Sequence, residues 1–203
     1  MIDSITQGIF PTPVYIASLN RKFLSKENKF LQKTKRGIYK NVGNLTSHAT
    51  YILDNKNLSQ LKKNLEEMTQ DYFDKVLSAK NVKPYITQSW LNYTTKDQYH
   101  HKHAHDNSLV SGVFYINVDK KHDKITFFKE RYELISPAVN KYNIFNSGSW
   151  WFPVETGQLF LFPSSLTHMV EAKKENNTRM SLAFNVFVRG VLGKTKDLTE
   201  LKL

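Results

Sequence analysis

The chain predicts a mainly β domain of the sandwich, jelly-roll or barrel kind, and three features carry that reading. From Pro84 onward, short runs rich in β-branched and aromatic residues follow one another, divided by Gly, Pro, Asn and charged residues. No helical periodicity interrupts these runs, which argues against alternating strand and helix units and for successive antiparallel strands. A single amphipathic helix precedes them, and its one apolar face needs a sheet to pack against. With 203 residues the chain suits one domain over 1–203, a helical and strand extension over 1–83 and a β core over 84–190.

In chain order, Phe10-Pro-Thr-Pro-Val-Tyr-Ile16 reads as a strand-like piece, followed to about Thr50 by a lysine-rich stretch without periodicity that serves as scaffolding. Leu58, Leu61, Leu65, Met68, Tyr72 and Val76 then recur at spacings of three and four. They share one face of a helix from near Asn57 to near Ser78, capped by Asp54 or Asn57 and buttressing the sheet. The strands expected after it are Tyr85–Thr94, Leu109–Val118, Ile125–Phe128, Trp150–Val154, Gln158–Phe162, His168–Ala172 and Met180–Val188. In the last, Met180, Leu182, Phe184, Val186 and Val188 alternate with Ser181, Ala183, Asn185 and Phe187, so its two faces meet different surroundings. There is no internal repeat.

Composition narrows the chemistry. The absence of cysteine excludes disulfides, thiolate-bound zinc, iron–sulfur clusters and a cysteine nucleophile, so a metal site must use His, Asp or Glu. Lys and Arg outnumber Asp and Glu by 29 to 18, and the resulting charge of +11 favours anionic partners, with nucleic acid left open as one. Because the basic residues are scattered and form no block, a solubilising surface is the favoured reading of that charge. Met1 to Phe10 lacks the pattern of a signal peptide and no stretch reaches the length of an apolar membrane span, so a cytoplasmic location is expected and no membrane partner. Oligomeric state is not legible.

Four of the seven histidines lie within Tyr99-His-His-Lys-His-Ala-His-Asp-Asn107. Residues two apart on an extended strand face the same way, so His103 with His105, or His101 with His103, can present two imidazoles to one metal ion. A further histidine, His168, follows the apolar strand and turn of Gly157-Gln-Leu-Phe-Leu-Phe-Pro163. Arg179 and Ser181 come next and project from one strand face. A buried arginine there requires a partner, and its planar fork suits a carboxylate, with the serine hydroxyl adding one hydrogen bond.

In this order, the histidine pair, the distant histidine after Gly-x-x-x-x-Phe-Pro, and Arg-x-Ser resemble the Fe(II)- and 2-oxoglutarate-dependent oxygenases over roughly Trp90 to Val188. Within them the chain is most similar to the uncharacterised bacterial and phage branch. His103-Ala-His105-Asp-Asn107-Ser108 and Ser111-Gly-Val-Phe-Tyr115 match that branch, as does the opening Ile9-Phe-Pro-Thr-Pro-Val14. The resemblance implies a double-stranded β-helix, and His103, His105 and His168 as the metal-binding and catalytic set. It also implies Arg179 and Ser181 on the distal carboxylate of 2-oxoglutarate, and a dioxygenase that consumes molecular oxygen and releases succinate and CO2, with hydroxylation the usual outcome. A phage gene would place the protein in the host cytoplasm.

Tyr115 and Asn107 are further candidates for contacting the cosubstrate, and Asn92 and Asn185 for lining the pocket, whereas Trp150 and Trp151 are assigned no role. Most members of the family carry Asp or Glu as the second ligand. This chain has His105 there, with Asp106 as the substitute carboxylate. Two other readings compete: a metal-dependent cupin-type enzyme that needs no 2-oxoglutarate, against which Arg179 and Ser181 argue, and a non-enzymatic jelly-roll binding module. The segment from Asp119 to Ser149 is the expected specificity element. Its Lys120, Lys121, Lys129, Arg131 and Lys141 suggest an acidic or phosphorylated substrate, whose identity the sequence does not reveal.

Overall fold

A computed structural model describes residues 2–34, 38–130, 135 and 137–203. Its elements in order are β1 (Tyr15–Ser18), α1 (Ser25–Thr34), β2 (Ile38–Lys40), β3 (Leu45–Ser47) and α2 (Ser59–Lys75). Then come β4 (Val82–Thr94), β5 (His100–His103), β6 (Val110–Asn117), β7 (Lys124–Phe128), β8 (Ser149–Pro153), β9 (Gln158–Pro163), β10 (His168–Val170), β11 (Arg179–Leu192) and β12 (Leu201–Lys202).

The strands form two antiparallel sheets. The larger runs β1-β9-β6-β11-β4-β3-β2, with β12 on the far end of β11, and the smaller runs β5-β10-β7-β8. Of the eight strands from β4 to β11, four fall in each sheet, and the chain passes repeatedly from one to the other. This is the double-stranded β-helix, a jelly roll, and it satisfies strand edges by pairing within two stacked sheets.

Alternation sorts side chains into two cores. On β11, Met180, Leu182, Phe184, Val186 and Val188 face outward from the sandwich and pack with Leu61, Leu65, Tyr72 and Phe73 of α2. On the other face, Tyr115 of β6 and Phe160 and Phe162 of β9 pack between the sheets with Ile125 and Phe127 of β7. The period-two pattern of the last long strand therefore describes a real division of surroundings, with one face under the helix and the other toward the interior. Gly112 of β6 allows the close approach this packing requires: a Cβ there would lie 2.3 Å from the Phe184 ring. Gly157, at φ 87°, makes the turn into β9 in a backbone region that L side chains rarely adopt.

Two expectations about the first 60 residues change. The lysine-rich stretch contains α1, whose ten residues include only two apolar side chains, Phe30 and Leu31, and whose start is held by an ion pair. Glu27 is fully buried, accepts the Leu24 N–H at 2.8 Å in the manner of a capping box, and receives both ends of the Arg21 fork at 2.7 and 2.8 Å. Neither Asp54 nor Asn57 caps α2. Its N-cap is Leu58, without a side-chain hydrogen bond, because two short 3-10 turns at Ile52–Asp54 and Lys56–Leu58 lead the chain in. Asn55 caps the second turn by accepting the Asn57 N–H, and Asp54 pairs with Lys62 at 2.7 Å. The expected strand Ile125–Phe128, within the stretch from Asp119 to Ser149, forms β7 and supplies Ile125 and Phe127 to the inner core.

Candidate active site

The small sheet brings the histidines together. His103 ends β5 and His168 begins β10, and the two are cross-strand partners. His105 lies two residues past β5, in a segment tied to the turn after β9: its N–H donates to the Ser164 carbonyl at 3.0 Å, and the Ser164 hydroxyl contacts those of Ser108 at 2.8 Å and Ser111 at 2.9 Å. The serines of the His-x-His-x-Asn-Ser and Ser-Gly-Val elements thus hold the loop that positions His105. One nitrogen from each of His103, His105 and His168 lies within 4.8 Å of the others. Trp90, which also lines the cavity, stacks on His105, ring centroids 5.7 Å apart.

The histidine tautomers follow from their partners. His103 Nδ1 lies 2.7 Å from the His101 carbonyl and His168 Nδ1 lies 3.0 Å from the Leu166 carbonyl. A carbonyl only accepts, so each Nδ1 carries the proton and each Nε2 is left as an acceptor, the form a metal requires. Burial, reinforced by the neighbouring rings, pushes His168 down to about 3 and His105 down to about 4, and burial lowers His103 as well. All three are therefore neutral at pH 7 and able to offer a lone pair.

The large sheet supplies the other end of the same cavity. Arg179 and Ser181, at the start of β11, face inward and line it together with Asn92. Arg179 is 3% exposed, donates to the Lys124 carbonyl at 3.2 Å and lies 5.2 Å from the centre of the Tyr115 ring, with no carboxylate partner among the described residues. Tyr115 is fully buried next to Ser181. Its hydroxyl has no well-aligned hydrogen-bond partner although the guanidinium is beside it, and burial raises its pKa to about 12. Asn92 Oδ1 is also buried without a partner. A buried cation with no anion is costly, and so are orphaned polar atoms. These groups fit a bound carboxylate, and the neutral imidazoles at the other end fit a divalent metal.

Other expected residues are placed elsewhere. Asp106 is exposed and does not join the histidine group, and Asn107 is exposed at φ 54°, forming the turn after His105 and not the cavity wall. Asn185 lies beside His105 with its Oδ1 buried. Trp150 and Trp151 are exposed on β8. Arg131 lies outside the described residues.

One residue escaped the sequence reading. His100 lines the cavity between the three histidines and Arg179, its ring stacked on His103 at 4.5 Å. Strict alternation groups His101 with His103 and turns His100 away. A bulge changes this, because His168 and Val170, two residues apart on β10, face His103 and His100, three apart on β5. His100, His101 and His103 also bring ligand atoms within 4.8 Å of one another, so His103 belongs to two histidine groups.

Comparison with known proteins bears on the fold and the family. Residues 88–185 match the family model described as "Putative 2OG-Fe(II) oxygenase". No curated protein matches the chain. Among solved structures, the chain is similar in fold to HygX from Streptomyces hygroscopicus, crystallised with nickel, 2-oxoglutarate and hygromycin B (TM-score 0.59, 11% identity, 86% of this chain and 82% of that one). It is also similar to SnoN, a non-heme α-ketoglutarate-dependent epimerase from nogalamycin biosynthesis (TM-score 0.60, 10% identity, 87% and 78%). A third is a prolyl-4-hydroxylase from Pseudomonas putida (TM-score 0.54, 14% identity, 86% and 92%). Through residues 88–185 the chain is thus similar to the 2OG-Fe(II) oxygenases, and the cofactors that go with that similarity are Fe(II) and 2-oxoglutarate.

Proposed function

We propose that the protein is a dioxygenase that hydroxylates its substrate with release of succinate and CO2, holding Fe(II) with His103, His105 and His168 and 2-oxoglutarate with Arg179, Ser181 and Tyr115. The observation that carries this reading is a single cavity with three convergent neutral imidazoles at one end and a buried, anion-free arginine at the other. When bound, Fe(II) and 2-oxoglutarate supply the oxidising chemistry, and the protein supplies binding, orientation and exclusion of water.

The backbone carbonyls on His103 and His168 keep their Nε2 atoms aimed and unprotonated. Arg179 fixes the cosubstrate's distal carboxylate by its charge, and Ser181 adds a hydroxyl donor from the same strand face. Tyr115 gains in that complex the partner its hydroxyl lacks. With no carboxylate among the ligands, the metal keeps its full charge for the dianionic cosubstrate, so affinity for 2-oxoglutarate depends strongly on that charge. For the substrate we propose an acidic or phosphorylated compound, on the strength of exposed Lys120, Lys121, Lys129 and Lys141; Lys120 is in part neutralised by Glu155 at 2.8 Å. A screen that turns over only neutral compounds would remove this part of the reading.

The carboxylate-free triad is the one feature that favours a second reading, a cupin-type metal enzyme without 2-oxoglutarate. An anaerobic titration of the metal-free protein with Fe(II) and then 2-oxoglutarate separates the two. The visible charge-transfer band is expected only after the second addition. Metal binding without that band would support the cupin reading. Transfer of one atom from labelled dioxygen into the product tests hydroxylation against epimerisation or ring closure.

A further inference from the structure

Arg179 does not close the interior of the sandwich; it divides two cavities. On its inner side lies the histidine cavity, the narrower of the two at about 30 Å³. On its outer side lies a cavity of about 320 Å³, at the end of the small sheet away from His168, and both Arg179 and Val170 line the two. The wider approach to the guanidinium is therefore on the outer side.

The charges of the outer cavity favour such an anion. Its three lining carboxylates face five cations, Lys121, Lys124, Lys173, Lys174 and Arg179: Lys124 pairs with Glu171 at 3.0 Å, and Lys173 is shared between Asp123 at 3.1 Å and Glu175 at 3.6 Å. Lys121 and Lys174 line the cavity with no side-chain ion pair among the described residues, and Arg179 lies at its floor. The uncompensated charge is positive, and low-dielectric walls focus it along the approach to Arg179.

We propose that this lysine-lined cavity is the route by which 2-oxoglutarate enters and succinate leaves, separate from the histidine end where the oxidised substrate meets the metal. The proposal rests on the reading of Arg179 given above. A separate route lets the two reactants exchange without passing each other at the metal. Trp151 and Ala172 also line the cavity, Ala172 exposed, so a larger side chain at 172 narrows the passage without entering the core.

The test is rapid mixing of the anaerobic Fe(II)-loaded protein with 2-oxoglutarate, following the charge-transfer band, for the wild type, Ala172→Trp, and the double variant Lys121→Glu with Lys174→Glu. Narrowing a passage slows entry and exit alike, so Ala172→Trp is expected to lower both the association and dissociation rates about tenfold and to leave Kd within about twofold. The charge-reversed pair is expected to slow association about tenfold at low salt and to abolish most of its dependence on ionic strength. Lys26→Glu with Lys29→Glu, on exposed positions of α1, makes the same change in net charge and is expected to have little effect. Wild-type rates in folded Ala172→Trp, or equal slowing by the α1 pair, would overturn the route and leave the site reading intact. No band in the wild type would instead remove the site reading itself, and the route with it.

Discussion

At the histidine end of the cavity, the fold already holds the imidazoles: His103 and His168 donate their Nδ1 protons to backbone carbonyls, and the serine chain of Ser108, Ser111 and Ser164 anchors the loop carrying His105, with Asn185 Oδ1 and His101 Nδ1 left without partners nearby. At the arginine end, Arg179 has one carbonyl and an aromatic face, while Tyr115 OH and Asn92 Oδ1 have no partner. The first end is organised before any ligand arrives; the second is completed only by one. The contrast suits the tasks proposed for the two ends, since a metal needs fixed geometry and permanent residence, whereas a cosubstrate must bind and leave in each cycle. Orphaned groups at the exchanging end store binding energy that a preformed network would have used up.

The sharpest way to break this comparison is at the metal end. His168→Ala is expected to lower Fe(II) affinity at least about a hundredfold, because it removes a ligand and not just its support, read by metal content after dialysis. His105→Ala should behave similarly and His101→Ala should not. The opposite result would move the site to the other histidine group. At the exchanging end, Arg179→Ala should weaken 2-oxoglutarate binding about a hundredfold, the equivalent of about 2.7 kcal/mol for a charge-assisted pair, and leave Fe(II) affinity unchanged in the same titration.

The pH dependence of the metal-free protein follows from the histidine end. In the folded state His105 and His168 are held to about 4 and about 3, against roughly 6.5 in an unfolded chain. The unfolded state thus binds more protons as pH falls below about 6.5. Stability should be full above that pH and decline through the window down to about 4, by up to about 1.4 kcal/mol per pH unit for each histidine. Bound metal should flatten the upper part of this decline in denaturant melts, because it competes with protons for the same nitrogens.

Smaller effects sharpen the contrast. His105→Asp supplies the carboxylate usual in the family and lowers the net charge of the metal centre, so Fe(II) should be retained better while 2-oxoglutarate affinity falls about fivefold. Tyr115→Phe should cost only a few-fold in 2-oxoglutarate affinity and should raise the melting temperature slightly, since it deletes a buried hydroxyl that has no partner in the free protein. A lower melting temperature would show that the hydroxyl is satisfied in the free state.

Much of the β core was legible because each strand has one face toward α2 or solvent and one toward the interior, so alternation reports burial directly; the seven expected runs all correspond to strands. α1 was not legible, because its ten residues carry only two apolar side chains, Phe30 and Leu31, too few to display a period, and a Glu27–Arg21 pair holds its start. His103, His105, His168, Arg179 and Ser181 could be picked out by their order and by the family resemblance, and the fold brings all five to one cavity. Asn107 could not be separated from them by sequence, since a turn residue and a wall residue look alike until the direction of the backbone is known.

By itself the sequence determined the strand faces, the residue types available to a metal and the spacing between candidate ligands, because these depend on local periodicity and composition. Tertiary structure alone decided that the bulge between β5 and β10 turns His100 inward, that Asp106 stays in solvent, and that Arg179 has cavities on both sides. Each of these depends on which strands pair and in which register, and register is set by packing across the whole sandwich, not by the residues next to the site.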